Sequence, residues 1–185
     1  MNTSIFFNRT FRFAALASVV ALGTFGASNS FAAKAASSNS SATVIVPIAI
    51  TKSADLIFGK FAPNAGGEVT VATDGARTTT GPILSNSGAG AAAAQFDVTG
   101  DDNSTYGITW SGVSQLTGDD TGTSTMALSN ISDLTGDGAT SGEVGSGTLS
   151  GSGAQSIYLG GELTVTAEQA DANYTGSVTA TVEYN

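Results

Sequence analysis

The sequence predicts an all-β domain built as an antiparallel β-sandwich. Three observations point there. Short runs of alternating apolar and polar residues recur at fairly regular spacing. The segments between them are rich in Gly, Asp and Asn, which favour turns. Helical periodicity is hard to find anywhere after residue 32, so a parallel sheet with crossover helices is disfavoured.

The elements follow in order. "ATVIVPIAIT" (42–51) places Val44, Val46, Ile48 and Ile50 on one face. Pro47 interrupts it without an N–H to donate, which suits an edge strand or a strand switch. Further strands are expected at 54–61, 67–73, 93–100, 104–110, 124–131 and 155–168. The chain closes on "NYTGSVTATVEYN" (173–185). Tyr174, Gly176, Val178, Ala180, Val182 and Tyr184 form one face there, and a wholly polar set forms the other. Segments 85–92 and 145–154 read as loops or edge connections.

Upstream, Arg9 and Arg12 precede an apolar run at 13–27, and small residues follow it. The run falls short of the ~20 residues a membrane helix needs. Residues 1–32 therefore read as a secretory signal peptide, cut after Ala32 or, failing that, after Ala35. No later stretch approaches membrane length. Residues 33–41 read as a flexible mature N-terminus, and 42–185 as a single β-sandwich domain. A mature chain of about 150 residues buries about 70% of its unfolded surface.

Cleavage leaves Lys34, Lys52, Lys60 and Arg77 against 15 acidic residues, a net charge of −11. That balance argues against nucleic acid and anionic lipid as partners. Cysteine is absent, so stability outside the cytoplasm rests on packing rather than disulfides. Histidine is absent as well, which removes the commonest general base and metal ligand. The adjacent Ser–Lys candidate, Lys52-Ser53, reads as a solvated turn. Asp101/Asp102 and Asp119/Asp120 are sequence neighbours, so their side chains diverge. "LGGEL" (159–163) lacks the lysine and helix start of a phosphate loop. No enzyme, cofactor or metal is expected.

Two features bear on binding. Thr-Gly-Asp recurs at 99–101, 117–119 and 135–137. Turn formation accounts for it. The alternative is calcium held by Asp101, Asp102, Asp119, Asp120, Asp133 and Asp137, although Thr135 and Val144 occupy positions where a calcium loop places ligands. Tyr106, Ile108 and Trp110 share a face, read as core packing, with a sugar-stacking platform as the alternative.

"PIAITKSADLIFGKFAP" carries a Leu-x-Phe-Gly signature at Leu56, Phe58 and Gly59. With "AAQFDVTG", "LGGELTV" and the closing "NYTGSVTATVEYN", it resembles the domain of unknown function 4402 family of secreted bacterial proteins. That family in turn looks like spore-coat-protein-U-type and archaic chaperone–usher pilin subunits. The resemblance spans residues 42–185, with a generic middle at 111–154.

The resemblance implies an immunoglobulin-like, pilin-like sandwich lacking one strand. It implies a subunit that passes through the periplasm of a Gram-negative bacterium to the cell surface. A periplasmic chaperone, an outer-membrane usher and like subunits, including copies of itself, would be its partners. Tyr174, Val178, Ala180, Val182 and Tyr184 would be the acceptor edge, with the Asn185 carboxylate as a handle. Val44, Val46, Ile48 and Ile50 would be donor anchors or the domain's own first strand. In one version "SATVIV" donates and "IAIT" begins the domain, with Pro47 at the break. In another the domain is complete in itself and acts as a secreted module binding carbohydrate or matrix.

Overall fold

The structure, a computed structural model, describes residues 34–88, 90–120 and 124–185. Residues 1–32, read above as a signal peptide, lie outside the described residues. Residues 34–42 contain no strand or helix. Among the described residues, the domain at 43–185 holds thirteen strands and no helix.

Alternation becomes strand wherever both a pairing edge and a covering layer are present. β1 (Ala49–Ala54), β2 (Phe61–Ala62), β3 (Gly67–Val71), β4 (Arg77–Thr80), β5 (Ile83–Leu84) and β6 (Ala94–Thr99) come first. β7 (Thr105–Gly112), β8 (Gln115–Gly118), β9 (Thr125–Asp133) and β10 (Ser146–Thr148) follow. β11 (Ala154–Val165), β12 (Tyr174–Thr175) and β13 (Val178–Tyr184) complete the chain. The large sheet runs β1-β6-β11-β9-β8-β12, with β3 and β4 attached through β11. The small sheet runs β10-β7-β13. β2 and β5 form a separate two-stranded sheet. All these pairings are antiparallel, as expected for the sandwich.

β11 organises the large sheet. Along one edge its first half pairs with β6 and its second half with β3; β9 takes the other edge. The handover falls at Gly160–Gly161. A Cβ on Gly160 would collide with the Val71 carbonyl oxygen, and one on Gly161 would crowd the Phe58 ring. The paired glycines of "LGGEL" thus let β3 and Phe58 approach β11 closely.

Two apolar clusters fill the interior. One joins Phe96 and Val98 of β6, Tyr106 and Ile108 of β7, Ile157 and Leu159 of β11, and Ala180 and Val182 of β13. It packs the two sheets face to face. The other gathers Phe58, Val69, Val71, Met126, Leu128, Leu163 and Val165. Leu56 and Val178 touch both clusters.

Three expectations need correction. The first strand begins at Ala49, not at residue 42. Ile48 and Ile50 pack into the core, whereas Val44 and Val46 are 96% and 55% exposed. The break falls at Pro47, whose missing N–H ends the pairing. Residues 54–61 do not form one strand: an isolated bridge, Ile57 to Ala92, precedes the two-residue β2. The C-terminal face divides at Gly176–Ser177. β12 pairs with β8 in the large sheet, and β13 pairs with β7 in the small one. A side chain on Gly176 would meet Val113 and Leu116, so the chain crosses between sheets where only glycine fits.

Gly160→Ala is expected to cost about 1–3 kcal/mol through its clash with the Val71 carbonyl. Gly145→Ala, which faces open space, is expected to stay within about 0.5 kcal/mol of the parent. Urea denaturation of the two variants tests the pair; equal midpoints would contradict the close approach.

Candidate interstrand groove

β1 ends one edge of the large sheet and β13 one edge of the small sheet. These two edge strands approach each other. At one end they are tied together: the Tyr184 hydroxyl donates to the Val46 carbonyl at 2.8 Å. At the other end Ala54 and Val178 stand on opposite sides of a groove of about 1020 Å³. One wall is the end of β1 and the segment Asp55–Pro63. The other is Gln169–Val178. Phe96, Leu116, Met126, Leu128, Leu159 and Leu163 line it from the core. The groove thus lies over the core, where the ends of two edge strands and the segments that continue from them come together. An edge strand carries a row of N–H and C=O groups with no sheet partner, which is where another chain adds most readily.

Side-chain clamps hold both walls. Arg77 of β4 donates from Nη1 to the carbonyls of Phe58 (2.8 Å) and Lys60 (3.2 Å), and from Nη2 to that of Ser85 (2.9 Å). The rigid fork of a guanidinium suits three such acceptors. The Leu-x-Phe-Gly segment then explains itself. Leu56 and Phe58 anchor the wall on the core, and Gly59 adopts φ 71°, a left-handed conformation that glycine takes without strain. On the opposite wall, Asp119 accepts from the Asn173 backbone N–H and side-chain amide, both at 2.8 Å. Gln169 donates to the Thr125 carbonyl (3.1 Å) and the Tyr174 hydroxyl (2.7 Å), and Tyr174 donates to the Ala170 carbonyl (2.9 Å).

The structure brings Val178 and Leu56 to the groove and places Ala180, Val182 and Tyr184 along the core side of β13. Tyr174 lines the groove from β12. Asn185 sits at the far end of β13 and donates its backbone N–H to the Thr105 carbonyl at 3.2 Å. Val44 and Val46 do not enter the groove of their own domain and are left exposed beside Ile45, itself 49% exposed.

Three of the carboxylates weighed for calcium are engaged by donors of the protein itself. Asp119 holds Asn173, and Asp101 accepts from the Ser104 hydroxyl. Asp133 accepts from the Thr73 hydroxyl and the Thr135 and Gly136 N–H groups. Burial works to raise the Asp133 pKa, but these hydrogen bonds outweigh it and lower it. Among the described residues no group of three or more acidic side chains is placed to hold a metal ion. Lys52 pairs with Asp55, and the Ser53 hydroxyl donates to Asp97, so the Ser–Lys pair is not assembled. Trp110 packs edge-to-face on Phe96, 6.1 Å between centroids, and donates from Nε1 to the Val144 carbonyl.

Fold and groove together define an all-β sandwich domain with an open slot between two edge strands. The chain belongs to the family described as Domain of unknown function (DUF4402), which it matches over residues 48–184. The match starts after Pro47, so the exposed Val44–Val46 segment precedes the family domain. No curated protein matches the chain.

Two outcomes test the clamps. Arg77→Ala is expected to speed amide exchange at Ile57 by about ten-fold or more, from losing charged hydrogen bonds worth ~1.5 kcal/mol, while β9 amides change little. Uniform exchange rates would show that the wall needs no clamp. Asp119 has its pKa lowered by the Asn173 side-chain and backbone donors. A lowered carboxylate stabilises fully above the unfolded value of 3.8 and loses that contribution as pH falls through the folded value. Protection of the Asn173 amide should therefore hold at pH 6, persist at pH 3.8 and be lost only as pH falls further through the lowered folded value, and Asp119→Ala should remove it throughout.

Proposed function

We propose that the protein is a secreted, non-enzymatic structural subunit of the bacterial cell surface, pilin-like, whose groove is completed by a β-strand added from another chain. One observation carries the reading. A groove floored by core side chains opens where the ends of the edge strands β1 and β13 face each other, while the same domain carries an exposed apolar segment it does not bury. Strand addition satisfies both. Main-chain hydrogen bonds pair the edges, and alternate side chains fill the slot. The family's likeness to chaperone–usher subunits supports the same mechanism, with a chaperone strand occupying the slot in transit and a neighbouring subunit's arm replacing it. Residues 35–46 carry no charge, so their insertion desolvates no ionised side chain.

The test is a gel of the native cell-surface fraction, unboiled beside boiled, probed for this protein. A ladder that collapses to one band on boiling is expected, since no cysteine is present to cross-link the chains. Deleting residues 42–46 should abolish it. A single monomer band in both unboiled and boiled samples would overturn the reading.

A further inference from the structure

We infer that Tyr184 is the positioning residue of the N-terminal arm, fixing where and in which direction residues 43–46 leave the domain. The inference deepens the strand-addition reading, but its first readout needs no assembly.

One face of one chain segment carries Val44, Val46, Ile48 and Ile50. The structure divides that face at Pro47. Ile48 and Ile50 enter the domain's own core, and Val44 and Val46 stay outside it. At the division the Tyr184 hydroxyl makes two bonds. It donates to the Val46 carbonyl at 2.8 Å and accepts from the Asp101 N–H at 2.6 Å. The ring reaches this point across Gly100, where any Cβ would collide with the Tyr184 hydroxyl.

Three constraints therefore coincide at the root of the arm. Pro47 fixes its own φ, Val46 is held extended by the proline that follows it, and Tyr184 binds the Val46 carbonyl. An arm otherwise exposed over its whole length would swing freely from its root. Here the last aromatic of β13 joins the root to the Asp101 turn, so the arm's exit is set by the body of the domain. The tyrosine's body packs against the core, and only its hydroxyl serves the arm. The two roles separate cleanly in Tyr184→Phe.

The chain has no cysteine, so a single Val44→Cys carries a nitroxide label at one place. In the dilute, unassembled full chain, the label's spectrum is read with Tyr184 present and with Tyr184→Phe. Loss of the restricted component is expected in the variant, with the urea midpoint of the domain nearly unchanged. Gly100→Ala, which displaces the hydroxyl from the other side, is expected to give the same loss. On the surface, the fibres of the Tyr184→Phe chain should bend more sharply in negative-stain images than those of the parent. An unchanged label spectrum in both variants would overturn the inference while leaving strand addition standing. A Tyr184→Phe chain that keeps a restricted label but loses the ladder would overturn it too, assigning the hydroxyl to assembly instead of to the arm.

Discussion

The structure turns on the backbone's need for hydrogen-bond partners at the edges of β1 and β13. A sheet edge next to water is tolerable, and so is a buried edge that is paired. Here the ends of two edge strands border a groove whose floor is the core itself, with Phe96, Met126, Leu128 and Leu163 beneath it. The two apolar clusters meet at this slot, and Leu56 and Val178, one from each wall, touch both.

The walls of such a slot would sag toward each other if only the core held them, because collapse would bury more apolar area. Side chains outside the core oppose that collapse. Arg77 takes hold of three carbonyls behind the Leu56–Lys60 wall, and Asp119 takes hold of Asn173 behind the opposite one. Neither group touches the slot's apolar floor. Their strength is angular: both partners are main-chain or amide groups in fixed positions, so the walls are kept apart by geometry and not by bulk.

The sequence made much of this legible. Alternation located β3, β6, β7, β9 and β11, because each presents one face to a core and the other to water. It missed β4, β8 and β10, whose "RTTT", "QLTG" and "SGT" stretches hold at most one apolar residue and owe their extended form to pairing with a neighbour, and β5, whose two residues are too few to alternate. It overran at 42–48 for a related reason. Alternation reports which face favours burial and is silent on whether the burying surface belongs to the same chain. At the C-terminus the pattern runs unbroken through Gly176, yet the chain changes sheets there, a step visible only once Val113 and Leu116 are in place. Asp119 was legible as a carboxylate in a turn. Its partner Asn173, 54 residues away, was not. Arg77 gave no signal beyond being a lone cation in a polar stretch.

β1 has two ends, and they do different things. The arm departs beside Val46 at its start, and the slot opens beside Ala54 at its finish. Under the proposed strand addition one end of that axis gives the arm and the other takes it, so the contact joins unlike surfaces. Contacts made through unlike faces cannot be related by a two-fold axis. They repeat by translation and rotation, and unless the rotation happens to close, they grow without limit in one direction. A growing assembly of this kind has two distinguishable ends, and new subunits meet a different surface at each.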